Sequence, residues 1–267
     1  MRYFPLSFFL LIIFACSHKA ENEQIFRLPK ITTQPHPDSL RLFEARNISI
    51  SYAFIQGMYS FTDTINFSKN ANGPLLHPLF NEEKWLPLDS LSNSGLELYP
   101  DYHTGVYLPS RKGTHYYPVY LVNNSQRANT LHGEDAYIFG IQEALDSNQG
   151  WYPIEAQAFW GCSHWNAQFP SQTFALLLFP KYKGDFKTKL RVRVHNGEQV
   201  YVSQPFDGWI DYRQFDLSDE IYYYCKHVPF LRLSGEVFHG TLPRDVGYDG
   251  EAFMKKVKST VSPATGM

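Results

Sequence analysis

The chain has 267 residues, enough for one large domain or two small ones and for a core that needs no disulfide framework. Apolar residues make up 43% and charged residues 19%, a balance that excludes disorder over most of the chain. The formal charge of -2 offers no global attraction for nucleic acid, and beyond the N-terminus no apolar run reaches the roughly 20 residues of a membrane helix.

Arg2 followed by the short apolar run Phe8–Ala15 reads as a signal peptide over residues 1–15, too short to span a bilayer. It ends in Ile13-Phe14-Ala15-Cys16, which resembles a bacterial lipobox: aliphatic, then a small residue, then cysteine. The resemblance implies a Cys16 thiol carrying diacylglycerol, with palmitate-type chains, at the head of the mature protein. Each buried CH₂ of such chains contributes about 0.8 kcal/mol, so two or three chains hold a protein firmly on a membrane. The expected address is the outer membrane, on its periplasmic or cell-surface face. Residues 16–37, closing on Pro35-His36-Pro37, have the composition of a lipidated cysteine and a flexible tether. The polar stretch Ser17–Gln24 resembles the export tether of Bacteroidetes lipoproteins, with a plain solvated spacer as the rival reading.

The body reads as all-β, an antiparallel β-sandwich with a short C-terminal helix. Strands are expected over Ile48–Ile55, Tyr116–Val122, Tyr137–Gln142, Trp151–Phe159, Thr173–Phe179, Lys189–Val194 and Gln199–Val202, separated by Gly, Pro, Asn and Asp clusters. Helical periodicity is confined to Glu251–Lys258, with a short turn around Ser39–Glu44. Leu190, Val192 and Val194 alternate with Lys189, Arg191 and Arg193, so one face of that strand is buried. A three-residue loop with Gly197 left-handed would then pair Val192 with Val200 and Leu190 with Val202.

An internal echo runs through the body. Trp85-Leu86-Pro87-Leu88-Asp89 resembles Trp151-Tyr152-Pro153-Ile154-Glu155, and Tyr99-Pro100, Leu108-Pro109 and Gly113 match Phe169-Pro170, Phe179-Pro180 and Gly184. It suggests two related β units, 38–115 and 116–215, with 216–267 as an extension packed on the second. The competing explanation is that Pro and aromatics recur in any strand-rich chain.

Tyr117-Pro118-Val119-Tyr120, Gly140-Ile141-Gln142-Glu143-Ala144, Trp151–Glu155, Cys162, Phe179–Gly184 and Lys187–Arg191 together resemble an uncharacterised lipoprotein family of Bacteroidetes over residues 116–215. The resemblance implies an envelope lipoprotein and no particular activity. Ser163-His164-Trp165-Asn166, after Cys162, departs from the Gly-Asn-Ser/Gly-Tyr-like pattern of that family.

Candidate chemistry is sparse. Cys162 and Cys225 are the two cysteines besides Cys16; in an oxidising compartment they form either one disulfide or two core thiols. Cys162 and His164 sit two apart, yet no third member completes a nucleophilic set and no C-x-x-C or H-x-x-x-H supplies zinc ligands. His103, His115, His132, His227 and His239 are dispersed. No metal, cofactor or catalytic residue is expected, and no Gly-x-Ser-x-Gly elbow, P-loop or dinucleotide fingerprint occurs. In Glu134-Asp135 and Asp219-Glu220 one carboxylate of each pair points away in a strand, which disfavours an envelope hydrolase.

Aromatics and cations offer the more plausible surface. Phe159, Trp160 and Trp165 surround a loop over 159–165 where exposed rings would stack on a glycan or anchor an envelope protein. Lys181, Lys183, Lys187, Lys189, Arg191 and Arg193 form a basic ribbon, its last four members on one face of an extended strand. That face would meet anionic glycan or headgroups, or else is simply solvated. Asp38-Ser39-Leu40, Asp63-Thr64-Ile65 and Asp89-Ser90-Leu91 resemble the three-residue O-glycosylation motif of Bacteroidetes secreted proteins. The expectation is a membrane-anchored envelope lipoprotein with a non-catalytic binding or structural role, the glycan-binding loop being the alternative.

Overall fold

The computed structural model describes residues 26–32, 41–66, 95–107, 114–157, 164–222, 229 and 232–244. The strands of its N-terminal half are β1 (Ile31–Thr32), β2 (Ser49–Ile50), β3 (Ala53–Ser60), β4 (Ile65–Asn66), β5 (Leu96–Pro100), β6 (Val106–Tyr107) and β7 (His115–Asn123). They are followed by β8 (Asn129–Glu134), β9 (Tyr137–Leu145), β10 (Trp151–Pro153), β11 (Glu155–Ala156) and β12 (His164–Phe169). The series closes with β13 (Thr173–Pro180), β14 (Phe186–Asn196), β15 (Gln199–Val202) and β16 (Phe206–Ile210).

The fold is all-β and antiparallel, as the sequence predicts. One sheet runs β12-β8-β9-β3-β13-β7-β5, and the other is built on β14, which pairs with β9 on one side and with β15 and β16 on the other. Strand β9 belongs to both: Tyr137 and Ile138 pair with β3, while Phe139 to Ala144 pair with β14. It turns the corner between the layers, and at the far edge β15 comes up against β5, so the sandwich nearly closes on itself.

Between the sheets lies one core. Ile55, Tyr117, Val119, Leu121, Leu177 and Phe179 face Leu190, Val192, Val194 and Ile210. Strands β7 and β13 are buried along nearly their whole length, because their outer face is covered too. There Tyr120, Val122, Phe174 and Leu176 lie beneath Ile65, Phe61, Ile31 and Phe26. Burial on both faces explains why these strands read as continuous apolar runs rather than as an alternation. A separate cluster joins Leu217, Ile221, Leu233, Val237 and Phe238 of the C-terminal extension to Ile48 and Ala156, beside the parallel pair β2–β11.

Segments 38–115 and 116–215 interleave: β3 lies between β9 and β13, and β5 lies beside β7. Of the internal echo, Tyr99-Pro100 closes β5 and Phe169-Pro170 ends β12. Trp85–Asp89, Leu108-Pro109 and Gly113 lie outside the described residues, as does the helix expected at Glu251–Lys258. Among the described residues, helical backbone is limited to a 3-10 turn at Tyr212–Phe215, one turn at 219–222 and a π turn at Leu233–Val237.

Four local expectations need correction. The run Ile48–Ile55 breaks at Ser51-Tyr52, so that β2 pairs with β11 while β3 joins the main sheet and runs on to Ser60. Residues 41–44 are extended, Arg41 and Phe43 bridging to Thr114 and Tyr182 instead of forming a turn. The run from Trp151 breaks at Ile154, so that β10 pairs with β9 while β11 crosses to β2. The β14–β15 hairpin has a two-residue loop, Gly197-Glu198, that pairs Arg193 with Val202 and His195 with Val200. Gly197 is left-handed, with φ 63°. The register shifts because Asn196 continues the inward row: its amide accepts from the His132 N–H at 2.8 Å and donates to the Thr130 carbonyl at 2.8 Å. Tyr201 therefore turns inward opposite Val194, and Val200 and Val202 turn to solvent.

Candidate functional site

The outer face of β14 carries the charged half of the alternation. Lys187, Lys189, Arg191 and Arg193 all project from it while Leu190, Val192, Val194 and Asn196 are buried. Across the β9 register Arg191 meets Glu143, whose side chain is wholly enclosed. Arg191 Nε donates to Glu143 Oε2 at 2.7 Å and Arg193 Nε donates to the same oxygen at 3.1 Å. Burial pushes the Glu143 carboxyl up, but the hydrogen bonds and charges of the two guanidinium groups outweigh it and hold it below the usual range. Arg191 also lies over the Trp151 ring, 4.3 Å from its centroid. Two of the four cations on this face are thus occupied within the fold.

The rest of this face stays open. Lys189 pairs with Asp207 at 2.9 Å where both side chains are well exposed, a contact worth at most about 1 kcal/mol. Lys187 is the register partner of Trp209, which is 47% exposed, and Val200 and Val202 extend the same face at 41% each. The local pattern is plain: in β16 Phe206, Gly208 and Ile210 turn to the core, so Asp207 and Trp209 turn out. Lys181 and Lys183 leave this face. Lys181 Nζ donates to the Tyr102 carbonyl at 2.9 Å, and Lys183 pairs with Glu44 at 2.8 Å.

A second polar hub sits inside the sandwich. Glu155, fully buried, accepts from the Gln142 N–H and the Gln142 side-chain amide at 2.8 Å each and from the Tyr182 hydroxyl at 2.6 Å. Gln142 in turn accepts from the Tyr117 hydroxyl at 2.7 Å and donates to the Pro180 carbonyl at 2.9 Å. Burial dominates at Glu155 and raises its carboxyl in spite of these donors. Tyr117 and Tyr182 are likewise pushed well up by burial beside that carboxyl. The hub joins β7, β9, β11 and the chain after β13, and its polar atoms serve one another.

Histidines gather on the outer side of β9 and β14. His239, buried just after the π turn of the C-terminal extension, contacts Gln157 Oε1 through Nε2 at 2.8 Å, and its ring lies 5.6 Å from that of His195. Burial, with His195 beside it, pulls His239 down to about 3. Burial also lowers His195 and His132. Among the described residues no group of three His, Cys, Asp or Glu side chains is placed to hold a metal ion.

Of the residues singled out from the sequence, Cys16, Phe159, Trp160, Cys162 and Cys225 lie outside the described residues. Trp165 is described and half-buried in β12: its indole N–H donates to the Asp135 carbonyl at 2.9 Å, and the ring packs over Gly133, its register partner. That ring is held by the fold. Glu134 is buried while Asp135 is exposed in the β8–β9 turn, and Asp219 and Glu220 are both exposed. Sequence reasoning missed Trp209 because β16 was not read as a strand; the alternation Phe206-Asp207-Gly208-Trp209-Ile210 was the available signal.

The chain matches no family model and no curated protein.

Proposed function

We propose that this is a membrane-anchored envelope lipoprotein whose β-sandwich has a non-catalytic binding role, with a saccharide as the ligand of the outer β14–β16 face. The observation that carries the binding role is Trp209, a large ring 47% exposed on the outer sheet face beside Lys187 and the Lys189–Asp207 pair. An exposed indole stacks on the apolar face of a sugar ring, and flanking charged groups hydrogen-bond its hydroxyls or an acidic substituent. A non-catalytic role is supported by the carboxylates. Glu143 is held by two arginines and Glu155 is enclosed by Gln142 and Tyr182, so each serves the fold. Anchoring is supported by Ile13-Phe14-Ala15-Cys16 and by the family resemblance over residues 116–215.

Affinity electrophoresis through gels containing purified envelope polysaccharide tests the binding role. Retardation of the wild-type protein that Trp209→Ala abolishes is the expected result. Equal mobility of the two in every polysaccharide tried would discard the saccharide. Mass spectrometry of the protein from its native membrane tests the anchor, the expected finding being an acylated N-terminal Cys16 peptide.

A further inference from the structure

The segment Phe26–Thr32, which composition assigns to the tether, is laid across the outer face of the β13–β7 sheet. Phe26 meets four rings, Tyr99 at 5.2 Å, Phe61 at 5.3 Å, Phe174 at 5.5 Å and Tyr120 at 5.8 Å between centroids. Five residues on, Ile31 pairs in parallel with Ile65 and packs against the same cluster. Phe26, the first described residue, therefore lies on this side, opposite the β14–β16 face.

From this we infer that the Phe26–Lys30 side is the membrane-facing surface of the domain, its partner being the interfacial layer of the bilayer that carries the anchor. The inference rests on the lipid anchor proposed above. Phe26 is ten residues on from Cys16. Even fully extended, that separation reaches at most about 36 Å at roughly 3.3–3.6 Å per residue. Packed sheets lie about 10 Å apart, so with the side chains on both outer faces the sandwich is about 20–25 Å thick. Bringing the Trp209 face to the bilayer would require the linker to span that thickness and round a sheet edge close to its fully extended limit, a stretch that the Phe26 side does not need.

The chemistry of the surface suits the interface. Leu28 is 53% exposed and Tyr99 37%, and Arg27 and Lys30 on either side of Leu28 are also exposed. A leucine flanked by cations places an apolar group among acyl chains and positive charge among phosphates, and a half-exposed tyrosine suits the headgroup layer. Glu97 and Asp63 lie on the same side, so burial of Leu28 and Tyr99 together with tether length, rather than net charge, sets the orientation. The Trp209 face is then turned away from the membrane, toward soluble or wall-borne saccharide.

The test uses the full-length lipoprotein added to preformed phosphatidylethanolamine–phosphatidylglycerol vesicles and a membrane-impermeant amine-acetylating reagent. Lys30 reports the proposed contact and Lys187 the opposite face, with the same protein in detergent as reference. On vesicles, Lys30 acetylation should slow at least threefold while Lys187 is unchanged. Leu28→Asp should leave the acyl mass on Cys16 and restore Lys30 to its detergent rate. The same vesicle-to-detergent rate ratio for both lysines in an acylated, vesicle-bound protein would overturn the orientation and leave the anchor standing. A Cys16 peptide without acyl mass would instead remove the anchor, and the orientation with it.

Discussion

Arg191 and Glu143 are register partners across β14 and β9, and they form an ion pair at 2.7 Å whose carboxylate has no exposed surface. Arg193 adds a second guanidinium to the same oxygen at 3.1 Å. Removing one partner of a buried pair costs far more than the pair itself contributes, because the remaining charge is stranded. Glu143→Gln should lower stability by about 3 kcal/mol in urea unfolding, with Arg191→Met costing less because that arginine is partly solvated. The sign with pH follows from the lowered carboxyl. The contribution is complete above the ordinary glutamate value of 4.5 and is lost as pH falls through the lower folded value. In Glu143→Gln that acid-side loss should disappear.

His239 gives a second pH dependence at higher pH. Its folded value of about 3 lies below the ordinary 6.5, so between these values the unfolded chain binds a proton that the folded chain refuses. Stability from this group therefore falls as pH drops from 6.5, by roughly 3 kcal/mol at pH 4. His239→Gln, which keeps a donor toward Gln157, should flatten the urea midpoint between pH 6.5 and 4. A profile as steep as that of the wild type would locate the sensitivity elsewhere.

Asn196 holds the end of β14 to β8 through two bonds of 2.8 Å to the backbone of His132 and Thr130. Asn196→Ala removes the side-chain partner of a partly buried N–H and a partly buried carbonyl, at about 0.5–1.5 kcal/mol each. The expected loss is about 1–3 kcal/mol, together with faster hydrogen exchange at the His132 amide.

Gly133 has no room for a side chain: a Cβ there would run into the Trp165 ring and the Tyr137 carbonyl. Gly133→Ala should cost about 1–3 kcal/mol through overpacking and perturb near-UV circular dichroism. Adding Trp165→Leu should recover part of the loss, a coupling that a double-mutant cycle measures.

Trp209→Ala should cost about 1–3 kcal/mol, since slightly more than half of the residue's surface is covered by its neighbours. The urea midpoint checks this, and a variant that still unfolds cooperatively at a midpoint well above the gel conditions makes loss of polysaccharide retention a binding effect.

The sequence by itself determined the class of fold and its central strands, β7, β9, β13 and β14. The apolar runs of β7 and β13 and the alternation of β14 are strong local signals, since a strand buried on one or both faces must show it in its composition. It also determined which side of β14 would be charged. Two polar strands at one end of the sheet were not legible: Asn129–Glu134 and His164–Phe169 pair with each other, and few of their side chains announce it. Tertiary structure alone decided the hairpin register, because the inward pull on Asn196 comes from the backbone of β8, far away in sequence. It alone paired Glu143 with two arginines, fastened Phe26 to the outer aromatic cluster, and left Trp209 in solvent while Trp165 was tied down. The reason is common to all four. Whether a polar or aromatic side chain is occupied or free depends on what packs across from it, and that is set by contacts between residues distant along the chain.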